Sequence, residues 1–175
     1  MAPTSRATLA RRLTAVVVTA AVVLVVLGLL NADRIGLAGA ATADEEVQPL
    51  LGGLDPMLLE RVVAAQHAAA AAGHPFYVTS GARTAEEQQR LFDEAVAEHG
   101  SAGAASRWVL PPDRSAHVRG LAVDVGPADG RAWLAEHGAD YGLCLVYANE
   151  PWHFEPLVEP GGTCPDVVSD ASRTS

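Results

Sequence analysis

Two stretches hold the side chains that could do chemistry: Ser115-Ala-His117-Val-Arg119-Gly120-Leu-Ala-Val-Asp124, and later Glu150-Pro-Trp152-His153. His117, Asp124 and His153 offer two imidazoles and one carboxylate. That donor set suits Zn²⁺ and admits other divalent ions. Three protein ligands leave a fourth position open, the arrangement of a catalytic rather than a structural zinc. Glu150 precedes His153 closely enough to stand beside the metal without binding it. A free carboxylate there can take a proton from an attacking water. The plainer reading is that Glu150 orients a ligand imidazole. Taken singly, each motif is weak. A His and an Asp seven residues apart are common on surfaces. Glu-x-x-His is not the helical HExxH signature, and Pro151 inside it argues against an ordinary helix.

Three other residues belong in this account. Arg83 closes Ser80-Gly81-Ala82-Arg83. Its planar fork could grip an anionic group, or it could pair with acids on the helix that follows. Ser115 lies two residues ahead of the first ligand, as a substrate contact or a simple loop hydroxyl. Gln88 follows the Arg motif and either reaches the cleft or faces water.

The elements that must position these groups are legible in outline. Asp55-Pro56 is a helix start, with Asp as N-cap and Pro as the first helical residue. Met57, Leu58, Arg61, Val62, Ala65 and Ala69 follow at helical spacing, and Gly73 ends the run. Phe76-Tyr77-Val78-Thr79 reads as a strand delivering the Arg motif to its end. Thr84 with Glu87 forms a capping box, so a second helix runs on to Gly100. Residues 100–114 read as a loop rich in Gly, Ala, Ser and Pro. Leu121 to Val125 alternates, which sends Leu121, Val123 and Val125 to the core and Asp124 to the opposite face. Gly120 lets the backbone turn between the two ligands. Asp129 to His137 is a short helix. Leu143 to Tyr147 and Trp152 to Phe154 are extended segments, with His153 pointing away from its aromatic neighbours. His67, His74 and His99 read as surface or packing residues. Helices first, then short strands, give an α+β domain with a mainly antiparallel sheet.

Ser80-Gly81-Ala82-Arg83, Ser115-Ala-His117 through Asp124, and Glu150-Pro-Trp152-His153-Phe154 together resemble the VanY-type D-alanyl-D-alanine carboxypeptidases, zinc peptidases of the hedgehog/DD-peptidase fold group. The likeness covers roughly residues 50–158. It implies zinc held by His117, Asp124 and His153, and Glu150 as the catalytic base. It also implies Arg83 on substrate or oxyanion and Ser115 on substrate, with Gln88 the weakest substrate contact. The family often carries Tyr where this chain has Ala82. The implied reaction is hydrolysis of the terminal bond of a peptidoglycan stem peptide ending in D-Ala-D-Ala, with no acyl-enzyme. An L,D-carboxypeptidase or an endopeptidase is the alternative on the same fold. A zinc-stabilised wall-binding module without catalysis is the alternative of another class.

Composition bounds the rest. The 175 residues allow one domain plus extras, and every one of the 12 basic residues is Arg. A net charge of −9 makes nucleic acid a poor partner. Arg6, Arg11 and Arg12 precede an uncharged apolar run, Leu13 to Leu30. That run is long enough to cross a bilayer, which takes roughly 17–25 residues. The expected organisation is a cytoplasmic basic N-terminus (1–12), a transmembrane signal-anchor (13–30), a linker (31–53), the catalytic domain (54–158) and a C-terminal tail (159–175). The tail is expected to be disordered beyond Cys164. The domain then lies outside the cytoplasmic membrane, single-pass and anchored. A cleaved signal peptide, and so a secreted protein, is the alternative. Cys144 and Cys164 lack CxxC spacing and suit a disulfide in an exported protein, or two separate thiols.

Overall fold

The computed structural model describes residues 50–173. The basic N-terminus, the apolar run Leu13 to Leu30 and most of the linker lie outside the described residues. No helix among the described residues is long and apolar enough to cross a membrane.

Helix α1 (Pro56–Ala71) begins as its sequence dictates. Asp55 Oδ1 accepts a hydrogen bond from the Met57 N–H at 2.9 Å, with Pro56 in the first turn. Leu58, Val62, Ala65 and Ala69 form one fully buried stripe. Strand β1 (Tyr77–Ser80) follows, and then α2 (Ala85–His99), whose Thr84 hydroxyl accepts from the Glu87 N–H at 3.1 Å. The segment expected as pure loop contains one helical turn, α3 (Ala102–Ala105). Ser101 caps it, and the helix preference of its alanines outweighs Gly103. Strand β2 (Val123–Gly126), α4 (Ala128–His137), a 3-10 turn (Gly138–Tyr141), β3 (Cys144–Leu145), β4 (His153–Glu155) and a final 3-10 turn (Ala171–Arg173) complete the order.

The four strands form one sheet in the order β1-β2-β4-β3, every neighbouring pair antiparallel. The architecture is α+β. Val78, Val123, Val125 and Phe154 line one face of the sheet. They pack with the α1 stripe, Phe76, Leu134 of α4 and Leu143 as the main core. Alternation along β2 and β4 sends Asp124 and His153 to the other face. These two residues are direct partners across the β2–β4 pair. A bulge in β1 shifts the register between Val78 and Ser80, so that Ser80, not Thr79, stands opposite Asp124. Ser80, Asp124 and His153 thus make a row across three strands, re-aimed by one extra residue.

Two further expectations change. The extended segment at 143–147 is a two-residue strand, because Tyr147 leaves the sheet to pair with Val168 in a parallel bridge. Residues 165–173 are not a disordered extension. Cys144 and Cys164 form a disulfide, and Ala171 is buried against Leu110, Val146 and Tyr147, with Val168 alongside. A second, smaller core needs those residues, so the folded part runs past 158.

Gly120 fixes the entry to β2. Its φ of +69° lies in the left-handed region, and an added Cβ would stand 2.6 Å from the Gly53 carbonyl oxygen. The Gly120 carbonyl in turn accepts the Asp55 N–H at 3.0 Å, tying the turn to the start of α1. Gly120→Ala is expected to cost about 1–3 kcal/mol. Urea unfolding of the full chain in detergent measures it, and a midpoint equal to that of the wild type would contradict the strain.

Candidate metal centre

His117 reaches the sheet from the loop ahead of β2. Its backbone carbonyl accepts the Arg83 N–H at 3.1 Å, which locks that loop to the end of β1. Its Nδ1 lies 2.7 Å from the Gly81 carbonyl oxygen. A carbonyl only accepts, so Nδ1 carries the proton and Nε2 presents a lone pair. Gly81 is itself forced: a Cβ there would sit 2.0 Å from the Leu50 carbonyl oxygen. On β4, His153 Nε2 lies 2.9 Å from Glu155 Oε1, which leaves Nδ1 facing inward. Asp124 gives Oδ2 to the Arg83 guanidinium at 3.1 Å and turns Oδ1 the same way.

Three electron-rich atoms therefore converge. His117 Nε2 to His153 Nδ1 is 3.2 Å, His117 Nε2 to Asp124 Oδ1 is 3.4 Å, and His153 Nδ1 to Asp124 Oδ1 is 3.3 Å. Tetrahedral bonds of about 2.0–2.2 Å put donor atoms roughly 3.3–3.6 Å apart, so the triangle has the size that Zn²⁺ requires. All three residues are buried, and among the described residues they form a group able to hold a metal ion. Each ligand has its other polar atom tied to a partner, which sets tautomer and orientation. The donor set fits the ion.

The electrostatics agree. Burial pushes the Asp124 carboxyl up, but the His117 and His153 imidazoles against it outweigh burial and hold the group well below the usual carboxylate range. Burial pulls His153 down, but the Asp124 and Glu155 carboxylates against it lift it to about 9. Both shifts report a site that favours positive charge. Glu150 differs. Burial pushes its carboxyl up to about 7 against the opposing charge of His153. Its Oε1 is buried without a hydrogen-bond partner. An orphaned carboxylate oxygen beside a triangle of donors is costly unless something binds there.

A cleft of about 310 Å³ opens over the site. Arg83, Gln88, Ser115, His117, Asp124, Glu150 and His153 all line it, so the structure gathers every expected site residue of the metal and substrate sets. Arg83 does not pair with the acids of α2. Its Nε and Nη2 donate to Ser80 Oγ at 3.1 and 2.7 Å, Nη2 also to Asp124, and Nη1 to Gln88 Oε1 at 3.2 Å. Gln88 does not face water: it is 2% exposed, and its Nε2 donates to the Leu110 carbonyl at 2.8 Å. Its amide supports Arg83 and the 106–114 loop. Ser115 is buried at the cleft wall. Trp108, half exposed, stands at the rim and stacks on His99.

Sequence reasoning assigned no role to Ser80, the Gly81 carbonyl, Glu155 or Tyr147. Glu155 was findable. It sits two residues after His153 on a strand and so shares its face. Ser80 reaches the row only through the bulge, which leaves no clear mark in the sequence. Tyr147 packs its ring 5.0 Å from that of His153, a contact set by the fold alone.

Comparison with known proteins places these residues in a family. The family model described as VanY, D-alanyl-D-alanine carboxypeptidase, matches residues 53–156. A D-alanyl-D-alanine carboxypeptidase of Enterococcus faecalis is 37% identical over 103 residues, 44% of this chain and 38% of that protein. The chain thus spans well under half the length of that relative. Two crystal structures are similar. One is the vancomycin-resistance D,D-pentapeptidase VanY of a VanB-type cassette, a glutamate-to-alanine mutant in complex with Zn(II). It has a TM-score of 0.55 and 31% identity, covering 60% of this chain and 73% of that one. The other is VanYB in complex with D-alanine-D-alanine, with a TM-score of 0.55 and 30% identity, covering 58% and 70%. The matched span holds Arg83, His117, Asp124, Glu150 and His153 together, and the chain belongs to the VanY family.

Proposed function

We propose that the chain is a zinc-dependent D-alanyl-D-alanine carboxypeptidase acting on the terminal peptide bond of peptidoglycan stem peptides. One observation carries this reading: the three converging donors open onto a cleft beside the unpartnered, buried Glu150 oxygen. Family membership supports it, as do the Zn(II) and D-alanine-D-alanine complexes of the two similar structures.

His117 Nε2, His153 Nδ1 and Asp124 Oδ1 would hold the ion. Bound there, Zn²⁺ supplies a Lewis acid and lowers the pKa of water. Glu150 is the base. It takes a proton as the water oxygen bonds to the carbonyl carbon, and it passes that proton to the nitrogen as the C–N bond breaks. Its carboxyl, lifted towards neutrality by burial, suits both acceptance and return. The products are a shortened peptide carboxylate and free D-alanine. Arg83 has one Nη1 N–H beyond its four bonds to Ser80, Gln88 and Asp124, and its charge draws the anionic end of the substrate into the cleft. Ser115 sits where a hydroxyl can contact the same substrate. No serine or cysteine nucleophile is needed.

The domain works outside the cytoplasmic membrane, anchored through Leu13 to Leu30. The arginines ahead of that run and the Cys144–Cys164 disulfide support this placement.

Mass spectrometry of a defined stem pentapeptide incubated with the zinc-loaded full chain tests the reaction. Loss of one D-alanine is expected; a cut after an L-residue, an internal cut or no cut would each refute the reading. Glu150→Gln is expected to lower kcat by about 10²–10⁴ while zinc content stays at the wild-type level. Full activity in that variant would remove Glu150 from the mechanism. Chelation is expected to stop D-alanine release and lower Tm, with zinc restoring both; a Tm indifferent to chelator would contradict the cation site. Arg83→Lys keeps the charge but loses the fork, and zinc affinity measured by competition should weaken by about 10–100-fold. Unchanged affinity would show that Asp124 needs no such support.

A further inference from the structure

We propose that the C-terminal strap, Val168 to Arg173, is a specificity-determining wall of the cleft, with Ala171 as the residue that limits the size of the substrate side chain beside it. The inference rests on the peptidase reading above. The strap lies beyond the residues that the family model matches, which end at 156.

Four anchors hold the strap in place. The Cys144–Cys164 disulfide ties its approach to β3. The Val168 N–H donates to the Val146 carbonyl at 3.0 Å, and the Ala148 N–H to the Val168 carbonyl at 2.8 Å. Asp170 then caps the last turn. Its Oδ1 accepts the Ser172 N–H at 3.1 Å, and its Oδ2 accepts the Ser169 hydroxyl at 3.0 Å. Arg107, from the loop that precedes the first ligand, pairs with Asp170 at 3.7 Å. The strap is thereby fastened to both segments that flank the metal ligands.

Its position bears on the chemistry. Ala171 is 2% exposed, yet it lines the same cleft as the three metal ligands and Glu150. It packs with Leu110 and Tyr147. Leu110 is the residue whose carbonyl holds Gln88, and so Arg83. Tyr147 is the residue whose ring lies against His153. The cleft is lined by charged groups, Arg83, Glu150 and the ligands, and by apolar ones that include Leu91, Val109, Leu110, Tyr147 and Ala171. Apolar lining in the same cleft as an arginine suits a short anionic peptide end with a small aliphatic side chain, as in alanine. A methyl is the smallest side chain the wall could carry, and a larger one at 171 has nowhere to go but into the cleft or against Tyr147.

The test compares the zinc-loaded full chain in detergent with Ala171→Leu and Ala171→Gly. Calorimetry measures binding of two dipeptides, D-Ala-D-Ala and D-Ala-D-Phe, and zinc content and Tm are recorded for each protein. The wild type should prefer D-Ala-D-Ala. Ala171→Leu should weaken D-Ala-D-Ala binding at least tenfold with zinc content unchanged. Ala171→Gly should improve D-Ala-D-Phe at least threefold relative to D-Ala-D-Ala. If Ala171→Leu does not fold, the glycine variant alone decides. An unchanged preference in a folded, zinc-loaded variant overturns the wall, as does a wild type that binds neither dipeptide. Binding with the expected preference but no hydrolysis of the pentapeptide would leave the wall standing and overturn the carboxypeptidase reading instead.

Discussion

Two imidazole lone pairs and a carboxylate oxygen do not remain 3.2–3.4 Å apart of their own accord. They repel each other unless positive charge sits among them, and the chain must hold them there while it folds. The scaffold does so by tying the far side of each group. A backbone carbonyl, Gly81, holds His117; a carboxylate, Glu155, holds His153; a guanidinium, Arg83, holds Asp124. Each tie is itself fixed, by a close backbone contact, by strand alternation or by the Gln88 amide. The remainder of the domain can be understood as what keeps those three partners still.

The sheet contributes most of that stillness. Pairing β2 with β4 sets Asp124 opposite His153 without help from any loop. The third ligand comes from a turn, and Gly120 and the Arg83–His117 backbone bond bring the turn into register. On the reverse face, Val123, Val125 and Phe154 anchor the same strands in the core. One pair of strands therefore carries stability on one side and chemistry on the other, and a change that loosens the core loosens the ligands with it.

Much of this was readable from the residues. Asp55-Pro56 and Thr84 with Glu87 mark their helices because caps and first turns have strict chemical requirements. The alternation around Asp124 marks a strand face. The ligands themselves stood out because three motifs occurred in order. Other parts were hidden for physical reasons. The bulge that aligns Ser80 depends on strand pairing, which is non-local. The short helix at Ala102 lay in a segment whose glycine, serine and proline pointed to loop. Residues 165–173 looked like part of a free tail because they are polar and short. Their order comes from burying Ala171 and Asp170, with Val168 partly covered, and from hydrogen bonds to a distant segment. Composition does not register so small a contact.

The sulfur bridge between Cys144 and Cys164 makes the finished shape of this domain depend on milieu as well as on sequence. Glutathione and thioredoxin keep such sulfurs apart inside most cells. The ligand triangle itself contains no sulfur. Without the bridge, residues 165–173 would be fastened by a few hydrogen bonds and two small apolar side chains. Oxidation adds the covalent fastening, so the C-terminal strap is fully secured only where thiols are oxidised.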